Sequence, residues 1–196
     1  MPVEERREHL LDAALRVLAR DGYDQVSIEA IANEAGVTRP VVYAAYNGLE
    51  PLLHSLLDRT ERRALASAMR LMPEGDVEDV DGWLVQGAGG LIDAVTQEPD
   101  VWRPILGITQ NAPPMVRERI DTSRELIRGF IADALEQGLE KRGGPFIDVE
   151  MLSHLILISA EHFGRLVLSD PEHFTRKRVL RALKGLLTAL QPIPRG

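Results

Sequence analysis

Read by the spacing of its apolar positions, the chain is one helix after another. Leu11, Ala14, Leu15 and Leu18 fall at i, i+3, i+4 and i+7, the inner stripe of an amphipathic helix, and Gly22 stands just past its end. Ser27 can cap a second helix with Ile28, Ile31 and Ala32 facing inward, closed by Ala35-Gly36. A third, short helix starts at the N-cap Thr38. Pro40 sits in its first turn, where a missing N–H costs nothing, and Asn47-Gly48 ends it. From Glu50, Leu52, Leu53, Leu56 and Leu57, then Leu65, Met69 and Met72, draw a long fourth helix. After the break MPEGDVEDVDG, rich in Pro, Gly and acid, the pattern predicts helices over 80–97, 102–109, 114–141, 149–169 and 172–190, with Pro99 and Pro104 as punctuation. Strand-type alternation appears over no useful length.

The expected fold class is therefore all-α, with about nine helices. Three N-terminal helices over 1–49 make a small domain, and 50–196 make a larger helical one, with the fourth helix joining them. The second helix, the turn Ala35-Gly36-Val37 and the short third helix have helix-turn-helix spacing, with Val26, Ile28, Ile31, Ala32, Val37 and Val42 as its small core. A DNA-reading unit of this type lays its second helix in the major groove, N-terminal end toward the bases. Thr38 and the open N–H groups of the helix start suit a phosphate. Arg39 can grip guanine O6 and N7, and Pro40 offers an apolar surface to a thymine methyl. Tyr43 can reach a phosphate or a base edge. Tyr46 packs against the first helix with its hydroxyl toward the DNA backbone. The same residues also fit a purely structural role, with Thr38 as a cap and the tyrosines as core.

Charge narrows how such a surface could work. The chain carries a net −7, and residues 1–60 hold six Arg and no Lys against ten acids, a net of −4. That balance argues against coating nucleic acid by charge alone, so any DNA binding must come from a few placed groups. Twenty of the 23 basic residues are Arg and three are Lys, which we read as composition bias. The absence of Cys excludes disulfides, thiolate metal sites and Cys nucleophiles. No run approaches the roughly 18 apolar residues of a membrane span, and the charged start MPVEERREHLLDAAL has no signal-peptide core, so the expectation is a cytoplasmic protein without a membrane partner.

The segment HLLDAALRVLARDGYDQVSIEAIANEAGVTRPVVYAAYNGLEPLL resembles the DNA-binding domain of the TetR family of bacterial transcriptional regulators. The likeness rests on the Ala-Ala of the first helix, Gly22 with an aromatic after it, Val26-Ser27, Ile31-Ala32, Ala35-Gly36-Val37, Val42-Tyr43 and Tyr46, over about residues 8–55. It implies double-stranded operator DNA as partner, with Ser27, Thr38, Arg39, Pro40, Tyr43 and Tyr46 as the DNA-facing set. One departure stands out. The family often has a phosphate-contacting lysine after the third helix, and here the pair is Leu49-Glu50. The expectation is weaker non-specific binding, or compensation by Arg6, Arg7 and the helix N-termini.

The resemblance also implies a homodimer and a small-molecule effector, most often in a repressor released by that effector. The stripes Leu152, Leu155, Ile156, Ser159, Phe163 and Leu166 on one helix, and Val179, Leu183, Leu186, Leu187 and Leu190 on the next, are the candidate dimer faces of a four-helix bundle, or else internal core. Candidate effector-pocket residues are Trp83, Leu84, Gln86, Trp102, Ile105, Ile108, Met115, Ile127, Phe130, Ile131 and Phe163, with Gln110, Asn111 and His162 as further polar handles. Few charges fall in these stripes, which favours a largely apolar or aromatic effector.

Rival readings are weaker. An enzyme lacks a nucleophile elbow or a Gly-rich phosphate loop, because GlyAlaGlyGly at 87–90 falls inside a helix. His154, Glu161 and His162 share one helix, but two histidines eight residues apart make a poor metal site, and no cofactor or metal is expected. An activator, or a regulator without a small ligand, would carry the same head.

Overall fold

The computed structural model describes residues 2–71, 77–106, 113–143 and 146–190, and the described residues contain nine α-helices. They are α1 (Val3–Asp21), α2 (Ile28–Ala35), α3 (Arg39–Tyr46), α4 (Leu49–Leu71), α5 (Val80–Gln97), α6 (Pro99–Leu106), α7 (Pro114–Arg142), α8 (Val149–Ser169) and α9 (Arg176–Ala189). A single 3₁₀ turn, Tyr23–Gln25, links α1 to α2. Local chemistry accounts for most boundaries. Ser27 Oγ accepts the N–H of Ala30 at 3.1 Å, Asp79 accepts that of Gly82 at 2.9 Å, and Asp148 accepts that of Met151 at 3.1 Å. Two expected starts move. α6 opens at Pro99, which occupies the first helical position instead of standing outside the helix. α9 opens at Arg176 behind the cap Thr175, and Glu172 lies in the turn before it.

Packing divides the chain into two units, residues 1–65 with 100–120, and residues 66–99 with 121–196. The division differs from the expected boundary at residue 49. Leu52, Leu53, Leu56 and Leu57 of α4 are buried in the first unit, and Leu57 forms one cluster with Val116 and Ile120 of α7, covered by Tyr23 and Met115. Arg119 secures the same seam, its Nε donating to Glu61 at 2.7 Å and its Nη2 pairing with Asp58.

Within the second unit, Val77, Val80, Ile131, Ala134 and Leu135 form the core cluster, with Trp83, Leu84, Ile127, Leu152 and Ile156 packed on it. α5 packs against both α8 and α9. Gly138 of α7 permits a close approach to α5, since a Cβ there would lie 2.6 Å from the Val80 Cβ, whereas a Cβ on Gly89 would meet only the movable end of Arg176 at 2.8 Å. Arg124 Nε donates to Glu161 at 2.6 Å, joining α7 to α8. α8 comes closer to a membrane span than its sequence pattern suggested, being long and apolar enough by length and composition alone. Of its residues only Ser153, Gly164 and Val167 are buried, and Glu161 is paired with Arg124.

Candidate nucleic-acid interface

The head is built outward from α1. Leu10, Ala13, Ala14 and Val17 are fully enclosed, and the α2 residues Ile31 and Ala32 and the α3 residue Val42 close the core against them. Val26, Ile28 and Val37 are half-buried at its rim. Gly36 ends α2 at φ +65°, and the next N–H, from Val37, returns to Ala32 O at 2.9 Å. This left-handed turn sets the angle at which α3 departs, and glycine adopts it without a Cβ penalty. His9 Nε2 donates to Ala35 O at 2.9 Å, tying α1 to the same turn. Glu34 accepts Arg16 Nε at 2.8 Å and Arg20 Nη1 at 2.9 Å. These bonds, Arg16's first, hold its carboxyl below the usual carboxylate range.

α3 then presents two unlike sides. Val42 and Tyr46 point in, whereas Thr38, Arg39, Pro40, Tyr43 and Ala44 are exposed. Thr38 occupies the N-cap position, but its side chain makes no cap hydrogen bond, contrary to expectation. The first turn of α3 is closed by backbone instead: Pro40 has no N–H, and the Val41 N–H donates to the Thr38 carbonyl at 3.0 Å. Tyr43 is 54% exposed. Tyr46 is 4% exposed, and its hydroxyl donates to the carbonyl oxygen of Arg7 at 3.1 Å, so it faces α1 and not a DNA backbone. Burial pushes its phenol upward. Asn47, at φ +56°, ends the helix. Ser27 is half-buried and occupied in capping α2.

The head's cations are mostly engaged. Arg16, Arg20, Arg39 and Arg59 each sit in an ion pair, and the Arg7 guanidinium lies 4.5 Å above the Tyr46 ring. Arg7 is thus placed at the α1–α3 seam, not held free for phosphate as expected. Arg39 Nη2 meets Glu29 Oε2 at 2.6 Å, across the gap between α2 and α3. Sequence reasoning missed Glu29, because the pairing joins two helices and leaves no periodic trace.

Residues 10–56 match the family model described as bacterial regulatory proteins, tetR family. Over these residues the head is similar to the TetR family. This TetR-like head is 41% identical over 54 residues to the HTH-type transcriptional regulator SrpR of Pseudomonas putida, covering 28% of this chain and 25% of that protein. It is 29% identical over 68 residues to the nicotine-responsive transcriptional repressor HdnoR of Paenarthrobacter nicotinovorans, 35% of each chain. The chain thus aligns with only 25–40% of the length of these and similar curated relatives, all named as HTH-type transcriptional regulators or repressors. The fold likeness extends over nearly the whole chain. A TetR-like transcriptional regulator from Rhodococcus sp. RHA1 superposes with a TM-score of 0.77 at 20% identity, covering 97% of this chain and 99% of that one. The fatty acid degradation regulator FadR of Bacillus halodurans gives 0.73 at 20% identity, covering 93% and 94%.

Outside the TetR-like head, the structure sorts the remaining candidates. The expected pocket residues fall into both units. Trp83, Ile127 and Ile131 join the core of the second, where Gln86, Phe130 and Phe163 are exposed. Trp102, Ile105 and Met115 belong to the first, where Trp102 is buried and its indole N–H has no partner among the described residues. Ile108, Gln110 and Asn111 lie outside the described residues. Two open hollows are present: one of about 440 Å³ lined by Arg16, Arg20, Glu34 and Arg103, and one of about 240 Å³ between Ile92, Val167 and Phe174. Neither contains an expected pocket residue.

The expected dimer stripes also separate. Leu155 is 60% exposed and Leu186 58% exposed, with Ser159 and Phe163 exposed beside Leu155. Leu166, Leu183 and Leu187 are half-buried. Leu152 and Ile156 pack instead on the second unit's core, and Val179 is buried. Met151, Ile158 and Leu190 extend the exposed apolar surface beyond the stripes read from sequence.

Proposed function

We propose that this chain is a dimeric transcriptional repressor that reads double-stranded operator DNA through α3 and is released by a small, largely apolar or aromatic effector. The observation that carries the reading is the division of α3: Val42 and Tyr46 lock one side into the head, while Thr38, Arg39, Pro40 and Tyr43 stand exposed together at its N-terminal end. That end is the part of a recognition helix that reaches base edges. The low charge of the head fits recognition by placed groups rather than by a basic surface.

A dimer is supported by the uncovered apolar residues of α8 and α9, Met151, Leu155, Ile158, Leu186 and Leu190. Two copies joined there would carry two heads for two half-sites. Among the similar proteins are a nicotine-responsive repressor and a fatty acid degradation regulator, which favours a small organic effector here. α4 begins beside the reading helix and its last residues belong to the second unit, making it the direct covalent route between head and effector domain. An effector that prefers a state with wrongly spaced heads lowers operator affinity, and DNA lowers effector affinity by the same factor.

The test is selection of a binding sequence from a random duplex library, followed by fluorescence anisotropy against scrambled DNA over a salt series. Specific, saturable binding of one dimer per palindrome is expected. Leu155→Glu should give monomers by light scattering and lose operator affinity. Recovery of no preferred sequence would reject the reading.

A further inference from the structure

We propose that Glu29 is the positioning residue for Arg39, so that the base preference of α3 depends on a carboxylate supplied by α2. The proposal rests on the operator-binding reading above and names a second residue of that surface. Arg39 is the first residue of α3 and Glu29 lies in the first turn of α2. Their side chains meet at 2.6 Å while remaining 59% and 62% exposed, respectively. The helices that carry them are held by the Gly36 turn and by Ile31 and Val42 in the core, so the two side chains start from fixed backbones.

Three physical points follow from that geometry. A lone carboxylate on a face that meets DNA repels phosphate, and the adjacent guanidinium neutralises it. A guanidinium has five N–H donors in a planar fork, so an acceptor at Nη2 still leaves a two-donor edge for guanine O6 and N7. An arginine already held in one orientation gives up less side-chain freedom on binding, and it is held away from bases that its fork does not match. Glu29 therefore lowers the general attraction of the head for DNA and sharpens its choice of base. Because both partners are exposed, the pair adds little to stability, and its effect belongs in recognition.

The experiment uses the full chain and the duplex it selects from a random library. Arg39→Ala first identifies the base pair at which discrimination is lost. Glu29→Ala and Glu29→Gln are then measured by anisotropy against the selected duplex, its single-pair variants at that position, and scrambled DNA over a salt series. Discrimination at that base pair should fall about two- to fivefold in Glu29→Ala. Binding to scrambled DNA should strengthen, with a steeper salt dependence. Glu29→Gln, which keeps an acceptor, should fall between wild type and Glu29→Ala. In the Arg39→Ala background the further change Glu29→Ala should leave discrimination unaltered. Unchanged discrimination in both Glu29 variants, or an equal change at every base pair, would overturn the proposal while leaving operator binding intact. A wild-type chain that selects no sequence would overturn both.

Discussion

Arg59 of α4 lies 7% exposed against α1, its Nη1 donating to Asp12 at 2.7 Å and to Glu8 at 3.0 Å, while its Nε and Nη2 are buried without a hydrogen-bond partner among the described residues. The guanidinium thus ties the middle of α4 to α1, at a desolvation cost that two half-exposed acids only partly offset. Replacing it by an apolar side chain of similar length removes both the charge and the unpaired donors. Arg59→Met should unfold in urea within about 1 kcal/mol of wild type. Glu8→Ala with Asp12→Ala, which strands the buried charge, should cost about 2–3 kcal/mol. The reverse order would show that the ion pairs are net stabilising.

The two tyrosines of α3 separate recognition from folding. Tyr46→Phe deletes the hydroxyl bonded to Arg7 O and should lower stability by about 1 kcal/mol. Tyr43→Phe deletes an exposed hydroxyl and should stay within about 0.5 kcal/mol of wild type in stability. Operator affinity, corrected for folded fraction, should fall in Tyr43→Phe and hold in Tyr46→Phe.

In the second unit, Gly138→Ala should destabilise by about 1–3 kcal/mol in thermal or urea unfolding. Its new Cβ would meet the Val80 Cβ at 2.6 Å and Val77 Cγ1 at 3.0 Å, between α5 and α7. Combined with Val80→Gly, which removes that Cβ, it should cost less than the sum of the two single changes, as expected of a steric conflict and not of a change in helix propensity.

Alkaline pH offers a test of the Tyr23 environment. Burial pushes its phenol up to about 12 from the ordinary 10.0, because the anion is disfavoured where Tyr23 packs against Leu57, Val116 and Ile120. A raised folded-state value means that the contribution is fully present below pH 10 and is lost as pH rises toward about 12. Stability should therefore fall across that interval, and Tyr23→Phe should flatten the decline. Spectrophotometric titration at 295 nm combined with urea unfolding measures both.

The helices and most of their ends were legible in the sequence because their causes are local. The stripe Leu11, Ala14, Leu15 and Leu18 is buried as its spacing implies, Ser27 caps α2, and Gly36 and Asn47 take the positive φ their positions call for. The motif around α2 and α3 located the head for the same reason. Thr38 was legible as a cap position, but whether its hydroxyl would use the bond was not, since that turns on a single side-chain torsion.

Contacts between helices escaped. An apolar stripe says that a face is covered and does not say by what, so Val179 and Leu155 read alike although one is buried and the other open. Charged residues are still less informative. Nothing in the order of residues joins Glu29 to Arg39, Arg7 to Tyr46 or Arg59 to Asp12, because each pair spans helices whose relative placement depends on the whole core.

The sequence by itself determined an all-helical chain with a helix-turn-helix head, since periodicity, caps and turn glycines act over a few residues. Tertiary structure alone decided that Leu52 to Leu57 and part of α7 belong with the head, that Trp83 and Trp102 fall in different units, and which arginines are engaged. The physical reason is that burial and ion pairing depend on distances between segments far apart in the chain, and only the packed core sets those distances.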